Sequence, residues 1–345
     1  MKETNPYLMH LNALKRRRKC DYNCVSLFSG GGGLDLGAYR AGFESRFVSD
    51  LKKAYTATIK RNLPHVKVYN DDAMQLTPEK IREISEIKGD VDLTIAGPPC
   101  QSFSIMGSRK ALKDPRGQLT IKYFELIAGL QPKAFLFENV PGLLNVNDGK
   151  DFENLWKFID ETTGYTLFKT VLKATDFGVP QIRERLFIVG FRPGIDASSF
   201  SFPKKPTLGK GVKLPLVVPS GMALKDVDGL PNQEIRVHTE AVRKRFEKVP
   251  QGKRDRGSYC DRIDPSKPSH TILIGSSVGG ARPHIHPTEP RVLTVRESAR
   301  LQSFPDWYEF GGSRTEQYRQ VGNAVPPLLA FEVVNQIRKV LDAQK

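Results

Sequence analysis

Residues 24–42 constrain the fold more tightly than any other part of the chain. A short apolar run, Cys24-Val25-Ser26-Leu27-Phe28, leads straight into Ser29-Gly30-Gly31-Gly32-Gly33-Leu34-Asp35-Leu36-Gly37. Leu34, Ala38 and Ala41 then recur at helical spacing until Gly42. Strand, glycine loop, helix is the opening unit of a doubly wound α/β sheet: glycines let the backbone approach a ligand, and a helix N-terminus follows. Flexible turns use glycine too, so the loop takes its meaning from what comes next. The second strand, 45–49, ends at Asp50, 20 residues past Gly30. That is the usual place for a carboxylate that accepts from a ribose hydroxyl.

Further strand tips repeat the pattern. A third strand at 66–69 ends in Asn70-Asp71-Asp72-Ala73. Here Asp71 or Asp72 either accepts from an adenine amino group or caps the helix that Pro78 starts. A fourth, 91–96, is stopped by Gly97-Pro98-Pro99, since two prolines remove two backbone donors and fix φ. Cys100 is thereby delivered on a stiff turn at the rim where such sheets bind ligands. With polar Gln101, Ser102 and Ser104 behind it, we read a reactive thiol rather than a small buried hydrophobe. Residues 101–119 are polar and basic, with little periodicity, and read as a mobile functional loop. A helix over 120–130 leads to a fifth strand, 134–137, tipped by Glu138-Asn139-Val140. Helix 151–161 and strand 165–172 precede Gln181-Ile182-Arg183-Glu184-Arg185 and the strand 186–191. The two arginines either make a structural ion pair or hold a phosphate or a base carbonyl.

Beyond Pro193 the βα alternation stops. Residues 194–290 are rich in Pro, Gly, Ser and Lys, with strand-like pieces at 214–218 and 270–274. Residues 201–290 hold 16 Lys/Arg against 9 Asp/Glu, within a chain of formal net charge +15. A balance this basic favours a polyanion, and above all nucleic acid. Arg243, Lys244 and Arg254 are candidate phosphate and base-edge contacts, and the run at 15–19 is a candidate phosphate-touching arm. Residues 291–310 return to a helical pattern. A loop carries Gln320 to Pro327, and a last amphipathic helix at 328–342 resembles the opening αβ region in character. Four cysteines are too few for a disulfide scaffold, and Cys20 and Cys24 have no second ligand pair nearby to make a zinc site. With no apolar run of bilayer length and no signal-peptide order, the expectation is a cytoplasmic protein without membrane partners.

At this point the chain resembles the DNA cytosine-5 methyltransferases of bacterial restriction–modification systems, from about residue 24 to residue 340. Phe28-Ser29-Gly30-Gly31-Gly32 resembles the family's S-adenosylmethionine loop and Gly97-Pro98-Pro99-Cys100-Gln101 its nucleophile motif. Glu138-Asn139-Val140 resembles the acid motif and 181–185 the double-arginine motif. Arg296-Glu297-Ser298-Ala299-Arg300 and Gly322-Asn323-Ala324-Val325-Pro326 resemble the two closing motifs. The resemblance implies a Rossmann-like catalytic domain from 1–193 plus 295–345 and a smaller, irregular target-recognition domain at 194–294. It implies catalysis by Cys100, Glu138, Arg183, Arg185 and Asn139. The methyl donor, leaving as S-adenosylhomocysteine, would be held by Phe28, Ser29, Gly30, Gly31, Gly32, Gly33, Leu34, Asp50, Leu51, Asp72 and Ala73, and by Gly97, Pro99, Leu119, Asn323, Ala324 and Val325. Gln101, Ser104, Met106, Arg109 and Arg116 would join Arg243, Lys244 and Arg254 on DNA. No metal is required. Two departures stand out: Leu51 where an aromatic is common, which weakens stacking on adenine, and Met106 where small polar residues are frequent.

The implied chemistry is coherent. Carbon 5 of cytosine is a poor nucleophile until a thiolate adds at carbon 6, and a protonated Glu138 on ring nitrogen 3 would neutralise the charge that builds. The base must leave the duplex first. The expected protein is a monomer on double-stranded DNA, sharing a target site with a restriction endonuclease it does not bind. RNA is the alternative substrate. Two rivals come from other classes: a DNA-binding protein without catalysis, against which intact Cys100, Glu138 and Arg185 argue, and a nicotinamide dehydrogenase, which gives Pro-Pro-Cys no role.

Overall fold

The structure, a computed structural model, describes residues 5–14, 19–99, 115–209, 211–274, 281–282 and 284–345. Cys100, Gln101, Ser104, Met106 and Arg109 lie outside these residues, as do the side chain of Arg116 and the basic run at 15–18. Seven strands form the main sheet: β1 (Tyr22–Leu27), β2 (Phe43–Ser49), β3 (Lys67–Tyr69), β4 (Leu93–Ala96), β5 (Ala134–Asn139), β6 (Thr166–Lys173) and β7 (Glu184–Phe191). Their order is β3-β2-β1-β4-β5-β7-β6. β1 to β5 pair in parallel, whereas β7 runs antiparallel between β5 and β6. This is an α/β Rossmann-like sheet, with the switch in strand order between β1 and β4, where ligands collect.

The central strands β1, β4 and β5 are buried along nearly their whole length because both faces are covered, whereas the edge strand β6 is partly exposed throughout. Along β1, Cys24 faces one core while Val25 and Leu27 face the other; along β5, Leu136 and Phe137 divide in the same way. The first core is closed by α1 (Pro6–Asn12), α2 (Gly33–Arg40) and α3 (Lys53–Asn62). The second is closed by α4 (Pro78–Ser85), α5 (Pro115–Leu130) and α6 (Lys150–Thr163). After α7 (Glu240–Glu247), the helices α8 (Val295–Leu301), α9 (Arg314–Asn323) and α10 (Pro327–Asp342) return to the first core. α10 lies beside α2, and Arg338 Nη1 donates to the Ala41 carbonyl at 3.0 Å.

Several expectations are corrected. Residues 214–218 form no strand; Pro215 and Pro219 deprive that stretch of ladder donors. The piece at 270–274 shrinks to β8 (Leu273–Ile274), paired antiparallel with β9 (Ala281–Arg282). α7 escapes the periodicity reading because Phe246 is its one buried residue. The pattern at 291–310 is helical only over α8, which starts at a Thr294–Glu297 capping box. Gln320 to Asn323 belong to α9 rather than to a loop. The read loop 101–119 ends early, because Pro115 opens α5 from a first-turn position that needs no amide donor. α1 was invisible to periodicity, yet Asn5 caps it and Pro6 starts it.

Phe200 of the 194–209 segment packs on Phe168 and Phe191, with ring centroids 4.8 and 5.1 Å away. Farther on, Phe246, Val249, Cys260, Ile285 and Val292 make a small cluster of their own.

Candidate active site

Parallel strands β1, β2, β4 and β5 all end at one rim, and antiparallel β7 begins there. One cleft of about 540 Å³ opens at this rim. On its β1 side Phe28 adopts a left-handed backbone (φ 55°) that turns the chain into the glycine loop. The Ser29 amide donates to the Ser49 carbonyl at 3.0 Å, tying the loop to β2. The Gly30 amide donates to Asp50 Oδ2 at 3.0 Å and the Lys52 amide to Oδ1 at 2.9 Å. Burial raises the Asp50 carboxyl against these two bonds. As a carboxylate it retains a free lone pair on each oxygen, enough for a pair of hydroxyls.

On the β5 side the geometry follows from the sheet. Glu138 faces Phe187 across the ladder, so Arg185, two residues earlier on β7, shares its face diagonally. Arg185 Nε lies 2.7 Å from Glu138 Oε1. The other oxygen, Oε2, lies 2.8 Å from where a side chain on Gly97 would begin, so a Cβ at the foot of the Pro-Pro turn would displace the Glu138 carboxyl group. Burial pushes the Glu138 carboxyl above its ordinary range, against the pull of Arg185 and Arg183. Asn139 holds the turn itself: its Nδ2 reaches the Pro98 carbonyl at 3.5 Å while its Oδ1 accepts from Val140.

Arg183 is buried, donates Nη2 to the Asn323 carbonyl at 3.3 Å and leaves Nε without a partner. Burial lowers its guanidinium to about 9, with Arg185 adding to the shift. The turn after α9, with Asn323, Ala324 and Val325, closes the cleft opposite the glycine loop.

Phe28, Ser29, Gly30, Gly31, Gly33, Leu34, Asp50, Leu51, Gly97, Pro99, Leu119, Glu138, Asn139, Arg183 and Arg185 therefore line one cleft with that closing turn. Three expected residues do not. Gly32 sits behind the loop as the left-handed cap of α2. Asp72 is exposed and caps a single turn at Ala73–Gln75, accepting from Met74 at 2.9 Å, and Ala73 is buried in the second core. Thr77, not Asp72, caps α4. The sequence reading missed Lys52 and Tyr55 in the lining, and it quoted Pro98, Val140 and Gly322 within motifs without giving them a place at the site. Gln181, quoted only as the start of the double-arginine motif, ties the segment ahead of β7 to the Leu301 carbonyl and the Ile272 amide through its side chain. Arg243 and Lys244 sit exposed on α7 near Glu240, and Arg254 makes a two-pronged pair with Asp261 at 2.7 and 3.0 Å. Among the described residues no group of His, Cys, Asp and Glu is arranged to hold a metal ion. No helix among them is long and apolar enough to cross a membrane.

A family model of C-5 cytosine-specific DNA methylases matches residues 22–339. The chain belongs to that family. The methylase is 35% identical to the type II methyltransferase M.XorII of Xanthomonas oryzae pv. oryzae, over 92% of this chain and 84% of the relative. It is also 35% identical to M.NgoFVII of Neisseria gonorrhoeae, over 91% of this chain and 85% of that protein. Among solved structures, a DNA modification methyltransferase encoded within an E. coli prophage superposes with a TM-score of 0.75 at 28% identity. That match covers 93% of this chain and all of the other. The S. pombe Dnmt2 methyltransferase shares the fold at 20% identity and a TM-score of 0.66, over 93% of this chain and 99% of its own. Membership makes the protein a DNA cytosine-5 methyltransferase of the restriction–modification type, in a family whose methyl donor is S-adenosylmethionine. RNA as substrate is not favoured.

Proposed function

We propose that this methylase modifies carbon 5 of a cytosine flipped out of duplex DNA, through a covalent adduct at Cys100. The observation that carries the reading is the division of labour at Glu138. Arg185 engages Oε1, and Oε2 is turned toward Gly97, at the foot of the Pro98-Pro99 stretch that precedes Cys100 in the sequence.

The cleft fits S-adenosylmethionine. Asp50 offers an acceptor pair for ribose hydroxyls beside the bare backbone of the glycine loop, and the closing turn bounds the far side. When bound, the cofactor supplies an electrophilic methyl group. Every other step is assigned to this chain. Cys100, as a thiolate, adds to carbon 6 and so makes carbon 5 nucleophilic. Glu138, whose neutral form burial favours, donates to ring nitrogen 3 in its protonated form and neutralises the ring. Arg185, with a base in place, holds the base carbonyl, while Arg183 sets its position. Asn139 ties Pro98, two residues before Cys100 in the sequence, to the acid strand. After alkylation the carbon 5 proton passes to water and the thiolate is expelled, restoring the aromatic ring.

We assign residues 1–193 and 295–345 to catalysis and 194–294 to target recognition, with Arg243 and Lys244 touching phosphates. The names of the relatives support the role of the modification half of a restriction–modification pair, and we infer that the protein acts in the cytoplasm as a monomer. Methyl incorporation into duplex DNA tests the assignment. Cys100→Ser abolishes transfer but keeps DNA affinity, and Glu138→Gln slows single-turnover methylation ~10²–10⁴-fold. An unchanged rate in Glu138→Gln removes its acid role.

A further inference from the structure

We propose that Tyr55 supplies the aromatic surface on which the adenine of the methyl donor rests. The inference depends on reading this cleft as the cofactor site, and it assigns that site a residue. Leu51, directly after Asp50, is 68% exposed and has no ring to offer. One turn into α3, Tyr55 lines the same cleft as Phe28, Asp50 and Leu51.

The Tyr55 amide donates to the Lys52 carbonyl at 2.9 Å, so the chain tightens at once after the Asp50 tip. The phenol is near enough to feel the Asp50 carboxylate. The side chain is half-buried, yet among the described residues it joins neither core cluster. On α3 the interior is filled instead by Thr56, Thr58, Ile59 and Asn62. A large ring at the cleft, half-buried but outside both core clusters, sits beside the carboxylate that would hold the ribose, with Arg319 and Glu316 of α9 also near it, and the base leaves the ribose within a few ångströms of its hydroxyls. A planar π face stacks on a purine, whereas leucine gives contact without stacking. The ring missing at 51 is thus replaced from one helical turn away.

Calorimetric titration of the full-length protein with S-adenosylhomocysteine tests this without turnover. Tyr55→Leu keeps apolar bulk and helical propensity, and should weaken binding about fivefold. Adenosine alone should weaken by a similar factor. Tyr55→Phe should match wild type, and adding Leu51→Trp to Tyr55→Leu should recover the loss. The melting temperature of the ligand-free protein should be the same for all. Unchanged affinity in Tyr55→Leu overturns the proposal while leaving the cofactor reading intact. So does a loss in Tyr55→Phe equal to that in Tyr55→Leu, which would assign the effect to the hydroxyl. A wild-type protein that binds neither ligand overturns both.

Discussion

Glu138 shows how single residues divide the work. Its strand places it beside Arg185, its burial favours the neutral form, and the missing side chain at Gly97 leaves room for its second oxygen. Gly97→Ala tests that last point. The added methyl would meet the far end of a side chain rather than backbone, so the fold survives with little change in unfolding free energy. Glu138 must swing, though, and methylation should fall at least ~10-fold. Gly142→Ala, with open space around the glycine, is the control and should keep the wild-type rate. At this scale the sequence was legible wherever a side chain leaves the ligand-facing end of a buried strand, as Asp50 and Glu138 do. It was illegible where function depends on which side of a helix faces a cleft. Lys52 and Tyr55 carry no spacing signal, and Asp72 looked like a ligand because capping and ligand binding use the same residue type.

At the scale of elements, the glycine loop is held from beneath by Asp35 on α2. This carboxyl is buried and accepts from Ser26 on β1 at 3.1 Å and from Ser45 on β2 at 2.9 Å. Ser26 Oγ lies 2.9 Å from Ser29 Oγ, so the network reaches the loop. Burial raises Asp35 from 3.8 to about 6. A carboxyl raised on folding contributes fully below its unfolded pKa, and that contribution is lost as pH rises through the folded value. Wild-type stability relative to Asp35→Asn should therefore fall by about 2 kcal/mol between about pH 4 and about pH 8, measured by urea unfolding. A constant difference would contradict this account of the network. The strands were legible because a parallel sheet covered on both faces demands unbroken apolar runs. The same reasoning misjudged 214–218, where Pro215 interrupts the apolar run and Pro219 follows it. It also missed α7, whose polar surface leaves no period to read.

At the scale of the molecule, charge and topology meet. A formal net charge of +15 predicts that duplex affinity drops by orders of magnitude between ~50 and ~200 mM salt. Arg243→Ala with Lys244→Ala should lower that salt slope. Arg254→Ala should lower it less, because Arg254 is already committed to Asp261; equal effects would contradict the ranking. Topology explains why one cleft gathers residues from distant parts of the chain: α9 and the turn that follows it, near the C-terminal end of the sequence, pack back on the first core and face the glycine loop. The central claim is that a thiol at 100 and a carboxyl at 138 grip one extruded cytosine. Incubating the methylase with S-adenosylmethionine and a duplex whose target cytosines carry fluorine at carbon 5 removes the proton that must leave, so the adduct persists. Peptide mass spectrometry should then find DNA attached at Cys100, with the methyl group already transferred. No adduct, or one on any other residue, would contradict the account.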